Sequence, residues 1–331
     1  MREGDIMVKF KLSRLIQCKF NIYLYHRMGW NLARYYIFFL GKMYFFLNRK
    51  EKSAVINSVK IVIRKLHQKV NVNDTITKVF NGIISHYYEK MFIGFEKYEK
   101  KNKFINKNII CNDLVVIRKG LLKGKGVIVI TGHYGAIEYI PALFGLNGFN
   151  VSMIAKFKTE KLKNKILTQA AKYNANFINT ENSSNILLNA VKELKENRVL
   201  VTQCDEFDEW RPSKTDKTSF LGHRTGLDRT INIIKKRSGA EIVFGVIHRY
   251  SLNEYKLKIY SYEDMLKEIP SGLSYSAGEV VLKTLEQFIY RYPEQWYLWE
   301  KFSAIAGESY SHSINKQIST PVLGYVSEKS A

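Results

Sequence analysis

The sequence predicts an α/β fold: a mostly parallel central sheet flanked by helices, with a helical region in front of it. Three observations carry this. From about residue 108 onward, short apolar runs of strand length alternate with amphipathic stretches of helix length, the pattern of βαβ units. Before residue 105 the apolar residues recur at helical spacing, with few strand signals. Five prolines and 20 glycines in 331 residues leave no room for a long flexible linker. Residues 1–105 are therefore expected to form a helical N-terminal region and 106–305 the α/β core. Residues 306–331 read as a loose polar tail.

In chain order, the first twenty residues are basic but lack the apolar run and small-residue cleavage site of a secretory signal. Residues 23–50, YLYHRMGWNLARYYIFFLGKMYFFLNRK, are dense in Tyr, Phe and Trp, yet Arg27, Arg34 and Lys42 interrupt them. No uncharged run is long enough to cross a bilayer, and a helix lying among lipid headgroups fits better. The alternative is an amphipathic helix packed on the protein's own core. Val55, Ile56, Val59, Val62 and Ile63 mark one further helix. Val79, Ile83, Ile84, Tyr87, Met91, Phe92 and Phe95 mark the next, with Asn73 ahead of Asp74-Thr75 as its N-cap. Strands are expected at 126–131, 150–155, 175–179, 198–203, 241–248 and 254–261. Helices are expected near 136–146, 159–173, 184–196 (opened by Ser183-Ser184), 226–238 and 276–291.

The charge is unusual: 52 Lys and Arg against 30 Asp and Glu give +22. Such an excess suits nucleic acid, an anionic lipid surface, phosphorylated substrates or acidic carrier proteins, although a lysine-rich coding bias produces the same balance. No aromatic-basic RNA motif, zinc spacing or recognition helix accompanies it, so no nucleic-acid partner is expected. Cys18, Cys111 and Cys204 match no disulfide framework and no metal-ligand spacing, which points to a reducing compartment.

The stretch VIVITGHYGAIEY, 127–139, holds the candidate chemistry. His133 follows the first strand, where the functional crevice of a parallel sheet lies, and Asp205 stands in the matching place after 198–203. Glu138, one expected helical turn on, is placed to accept from the imidazole and fix its tautomer, an arrangement suited to deprotonating a hydroxyl. The plainer alternative is two polar residues closing a strand. No G-x-S-x-G nucleophile elbow occurs, so a covalent acyl-enzyme is not the obvious route. The acidic run Asp205, Glu206, Asp208, Glu209 lacks the histidines or turn spacing of a metal site, and neither metal nor cofactor is expected.

Three blocks, TGHYGAIEY, SFLGHRTGLDRTINIIKKRSGAEIVFGVI and YPEQWYLWEKF, resemble in order and separation the late lauroyl/myristoyl transferases of lipid A biosynthesis. These belong to the lysophospholipid acyltransferase superfamily, marked by His-x4-Asp/Glu, and the likeness spans roughly residues 30–302. The resemblance implies His133 as general base, paired with Glu138, on a sugar or acyl-chain hydroxyl. The donor would be a thioester of an acyl carrier protein, or acyl-coenzyme A, and the acceptor a glycolipid. The setting would be the anionic surface of the bacterial inner membrane, on its cytoplasmic face. It further implies Lys156 and Lys158 near the acceptor, as phosphate ligands or a solvated face, and Asp205 steering substrate or a basic partner. Phe220, Leu221 and Gly222 correspond to a Phe-Phe-Gly block thought to line the site opposite the histidine, with Arg224 and Arg229 adding positive charge. Ala136-Ile137 replaces the family's Asn-Trp, and Thr225-Gly226-Leu227-Asp228-Arg229 replaces a small Thr/Pro/Gly stretch. These departures sit where substrate is expected and leave, beside a lipid A precursor, another glycolipid or a surface polysaccharide as alternative acceptors; a thioesterase or lipid hydrolase using the same two residues on water is the rival chemistry.

Overall fold

A computed structural model of the protein describes residues 11–64, 71–155, 160–179, 185–206, 212–269 and 275–302, without the side chains of 161–162 and 212–216. Helices come first: α1 (Leu12–Ile16), α2 (Lys19–Met28), α3 (Trp30–Leu47), α4 (Arg49–Ile63), α5 (Val72–Phe95) and α6 (Tyr98–Asn108). The rest alternates: β1 (Ile109–Ile110), α7 (Leu114–Leu121), β2 (Val127–Thr131), α8 (Ile140–Leu146), β3 (Val151–Ala155), α9 (Glu160–Ala170), β4 (Ala175–Asn179), α10 (Ile186–Lys195), β5 (Val199–Gln203), β6 (Pro212–Phe220), β7 (His223–Asp228), α11 (Thr230–Ser238), β8 (Glu241–Ser251), β9 (Glu254–Ser261), α12 (Tyr262–Lys267) and α13 (Ala277–Arg291). The α/β class and the mostly parallel sheet expected from the sequence are both present.

Seven strands form the main sheet in the order β1-β9-β8-β2-β5-β3-β4. β8, β2, β5, β3 and β4 run parallel, β9 returns antiparallel to β8, and β1 lies along the outside of β9. All five residues of β2 are buried, as expected of a central strand covered on both faces. From β2 the chain crosses to β3, on the far side of β5; from β5 it crosses to β8, on the far side of β2. The connections diverge between β2 and β5, which makes their carboxyl ends the sheet's switch point.

The N-terminal helices share one apolar core with the sheet, continuous from Leu12 to Phe302. α2 and α3 are separate helices broken at Gly29, and α3 is apolar on both sides. Trp30, Ala33, Ile37, Leu40 and Tyr44 face inward, with Trp30 edge-on to Phe92 and Tyr88 of α5. Leu32, Tyr35, Phe39, Met43 and Phe46, at spacings of three and four, form an exposed stripe. The segment therefore packs on the protein's own core along one face of α3 and leaves the opposite face exposed. Among the described residues no helix is long and apolar enough to cross a membrane.

Some boundaries differ from expectation. The cap of α5 is Asn71, whose side chain accepts from the N–H groups of Asn73 and Asp74, so the cap lies two residues before the expected one. The stretch 226–238 is a helix only from Thr230, because the residues before it pair as the antiparallel hairpin β6–β7. That hairpin turns at Leu221 and Gly222, at φ 49° and 73°. Two successive positive φ values define the tight turn that matches strand twist, and glycine adopts one of them freely. Ser183 and Ser184 lie outside the described residues.

Candidate active site

Parallel pairing sets the site. β2 and β5 are in register from Val127–Val199 to Thr131–Gln203, and the Cys204 N–H donates to the Thr131 carbonyl at 2.9 Å. Continuing that register by two residues brings His133 beside Asp205. The His133 backbone N–H donates to Asp205 Oδ2 at 2.9 Å, and His133 Nδ1 lies 2.8 Å from Asp205 Oδ1. Asp205 is fully buried, and the indole N–H of Trp296 donates to its Oδ2 at 2.7 Å. A carboxylate held in this way fixes Nδ1 as the donating nitrogen and leaves Nε2 to face a reactant.

The segment after α13 clamps the loop from its other side. Gly135 N–H donates to the Gln295 carbonyl at 2.8 Å, Tyr297 N–H donates to the His133 carbonyl at 3.1 Å, and Tyr134 bridges Trp296. Gly135 sits at φ 57°, where a Cβ would come within 2.0 Å of the Ile247 carbonyl oxygen, so only glycine lets the chain pass β8 here. Beneath it, Arg249 of β8 forms a buried two-pronged pair with Glu89 of α5, at 2.6 and 2.7 Å, and donates to the Gly135 carbonyl at 3.2 Å. Glu89 beside it holds the guanidinium pKa above the ordinary arginine value. The loop bearing His133 is thus fixed from β5, β8, α5 and the C-terminal segment.

Glu138 is not the partner of the imidazole. After Tyr134 bridges Trp296 the chain turns at Gly135 and Ala136 and makes only a 3₁₀ turn at Ile137–Tyr139, and the α-helix starts at Ile140. A separation of five residues therefore does not stack the two side chains as one α-helical turn would. Glu138 instead lies 3.3 Å from Lys90 Nζ and 3.8 Å from His86 Nε2, both on α5. His86 is stacked at 3.5 Å on Tyr297, whose ring meets His133 edge-on at 5.2 Å. Burial and the nearby Glu138 charge both raise the Tyr297 phenol pKa, so Glu138 neighbours the ring that in turn meets His133.

The other sequence candidates fall in different places. Asp205 steers no substrate directly, because it is sealed from solvent by His133 and Trp296. Phe220 does not line the site opposite the histidine: it is buried against Trp296 and Phe302, at 5.9 and 6.4 Å, and so braces the indole that holds Asp205. Gly222 occupies the hairpin turn, and Arg224 and Arg229 are exposed. Lys156, Lys158, Asp208 and Glu209 lie outside the described residues. The sequence alone assigns no role to Trp296 and Tyr297, and Glu206, which it presents only as part of the acidic run, stands at the histidine. Glu206 Oε2 stands 3.2 Å from His133 Nε2, and its Oε1 lies 3.6 Å from Lys301 Nζ. Burial disfavours the charged ring, but the Asp205 and Glu206 carboxylates outweigh it, and the His133 pKa is pushed up to about 9. Burial pushes the neighbouring Cys204 thiol well up, which leaves it a poor nucleophile.

Fold and site together define a class: an α/β protein in which a part-buried histidine, held by a fully buried aspartate, stands at the switch point of a parallel sheet. The chain belongs to the bacterial lipid A biosynthesis acyltransferase family, whose model matches residues 17–301. A comparison with curated proteins gave no match. Family membership places the chemistry of this chain in acyl transfer.

Proposed function

We propose that the protein is a membrane-associated O-acyltransferase that moves a fatty acyl chain from an acyl carrier protein thioester, or from acyl-coenzyme A, to a hydroxyl of a lipid A precursor or related glycolipid. The observation that carries this reading is the His133–Asp205 pair at the switch point of a chain of this family. Nε2 takes the proton from the acceptor hydroxyl as its oxygen attacks the thioester carbonyl, and then protonates the departing sulfur. Asp205 acts through the ring: it sets the tautomer and stabilises the imidazolium that forms. Tyr297 packs the ring's flank, backed by His86, which with Lys90 lies against Glu138.

The donor and acceptor classes rest on the family resemblance and on the charge of +22, which suits an acidic carrier protein and a phosphorylated glycolipid. The membrane setting has a structural support. Besides the stripe on α3, Phe20 and Tyr23 of α2 are exposed, and residues 11–50 hold eight Lys or Arg and no Asp or Glu. The β8–β9 turn adds Tyr250 and Leu252, and Leu252 joins Arg34, Tyr35, Phe38, Phe39 and Lys42 around one shallow apolar groove. An apolar face ringed by cations suits an anionic bilayer surface, and the cytoplasmic face of the bacterial inner membrane is the proposed site of action.

The direct test is His133→Gln in an assay of acceptor-dependent ester formation. Loss of the base is expected to lower the rate by about 10²–10⁴-fold with the circular dichroism spectrum unchanged. Parental turnover by the folded variant would remove His133 from the mechanism.

A further inference from the structure

Both nitrogens of the His133 ring lie on carboxylates, Nδ1 on Asp205 at 2.8 Å and Nε2 on Glu206 at 3.2 Å. A ring that donates from both nitrogens is an imidazolium and has no lone pair with which to take a proton. The two carboxylates differ in how firmly they are held. Asp205 is fully buried and fixed by the His133 backbone and the Trp296 indole. The Glu206 side chain is 33% exposed, and Lys301, 26% exposed, stands on its far oxygen. Nε2 is also the nitrogen that a hydroxyl must reach, because Nδ1 is taken. Among the described residues, this side also carries Tyr297, whose phenol burial keeps neutral, and beyond it Glu138, Lys90 and His86.

Resting on the transfer reading above, we propose that Glu206 is a specificity-determining residue: it covers Nε2 of His133 until a bound acceptor hydroxyl displaces it toward Lys301, and so withholds the base from water. The chemistry explains why a transferase needs such a cover. As Glu206 swings away it carries off the Nε2 proton and releases it to solvent beside Lys301, which leaves the ring neutral. In transfer, the acceptor O–H then gives its proton to Nε2 while its oxygen bonds to the thioester carbonyl carbon, the C–S bond breaks and Nε2 returns the proton to sulfur. Water can follow the same steps, giving a free fatty acid and the same thiol. A bare, neutral Nε2 beside a bound donor would therefore waste it. An acceptor hydroxyl arrives with the binding energy of the whole acceptor molecule and can offset the displacement of Glu206; a lone water brings none. Lys301 gives the displaced carboxylate a partner already within reach.

The test is Glu206→Gln, which removes the charge while keeping the shape, with Glu206→Ala as a second variant that also removes the hydrogen bond. Dodecanoyl thioesters of acyl carrier protein and of coenzyme A are supplied without acceptor; thiol release and free dodecanoate are measured against pH, and the His133 ring is titrated by ¹⁵N NMR. In the parent protein the ring should titrate near 9. In Glu206→Gln its pKa should fall by about one unit or more, and acceptor-free thiol release at neutral pH should rise about tenfold, since one unit is a tenfold change in neutral base. Glu206→Ala should go further. An unchanged His133 titration overturns the proposal, and so does a lowered pKa with no rise in acceptor-free hydrolysis. If, in a parallel reaction with a lipid A precursor added as acceptor, the parent protein forms ester from neither thioester, the transfer reading fails instead, and the titration still decides whether Glu206 covers the ring.

Discussion

Replacing Asp205 by Asn separates the partner given by sheet register from the partner suggested by sequence spacing. The ordinary imidazole pKa of 6.5 is raised to about 9 in the folded protein, with Asp205 the largest of the raising influences. A shift of that size is about 3 kcal/mol in favour of the imidazolium. Asp205→Asn should remove the greater part, lowering the pKa by roughly 1.5–2 units, or about 2–3 kcal/mol. An amide facing Nδ1 can also donate to it, which moves the proton to Nε2 and spoils the base. In a serine-protease triad the same change to the orienting carboxylate costs about 10⁴-fold in turnover, and a loss on the order of 10³–10⁴-fold is expected here. Glu138→Gln is the control. It releases Lys90 and loosens the Tyr297 packing, so it should slow transfer while leaving the ring pKa closer to parental than Asp205→Asn does. The assay pairs single-turnover ester formation with NMR titration of His133. A ring pKa that falls in Glu138→Gln and stays put in Asp205→Asn would refute the assignment.

On the exposed stripe, Phe39→Asp or Phe46→Asp should weaken sedimentation with anionic vesicles by more than about tenfold, because burying one such ring is worth about 1.5–3 kcal/mol; unchanged partitioning would mean the stripe is not the docking face. Acid stability should depend on His248. Burial, with Lys258 and Arg249 nearby, lowers its pKa to about 4, and the Tyr134 hydroxyl lies 2.7 Å from its Nδ1. The unfolded ring takes up a proton as pH drops through about 6.5 and the folded ring does not, so stability falls between about 6.5 and 4, by about 2 kcal/mol at pH 5. His248→Gln should flatten that slope in urea unfolding, and an unchanged slope would place the acid sensitivity elsewhere. His133 runs the other way: its raised pKa gives stability that is full below about 6.5 and lost as pH climbs toward 9.

The strand pattern was legible because each central strand is an unbroken apolar run bounded by glycine or polar residues, as in Val127–Thr131 and Val199–Gln203. Spacing misled at Glu138, because a count of five residues presumes a helix that begins at the histidine, whereas bridging to Trp296 and a 3₁₀ turn intervene. A better signal was present. His133 follows Val127 by the same number of residues as Asp205 follows Val199, so adjacent parallel strands in that register must bring the two together. Which strands are adjacent is a tertiary fact, and no local pattern supplies it. The β6–β7 hairpin escaped for a similar reason. Its sequence is polar, its turn carries Leu221 where Asn or Asp would signal, and its identity rests on Phe220 packing against the distant Trp296.

The geometry also bears on how an amphiphilic acceptor would reach the base. β2 and β8 are parallel, so the loop carrying His133 and the turn carrying Tyr250 and Leu252 leave the sheet at the same end, and the Ala136 N–H donates to the Ile247 carbonyl at 2.9 Å between them. Leu252 lies beside the α3 stripe. The proposed docking face is therefore built from two chain segments more than 200 residues apart, and one of them, β8, also carries Arg249, which holds the Gly135 carbonyl next to His133. A bilayer bound on α3 and the β8–β9 turn would hold the sheet's carboxyl end near its surface. A lipid-anchored hydroxyl would then search only a layer of headgroups to find Nε2, while the water-soluble donor approaches from the aqueous side. In that arrangement much of the rate advantage comes from restricting two dissimilar substrates to one small volume, and a carboxylate over Nε2 is the feature that keeps the surrounding water from sharing it.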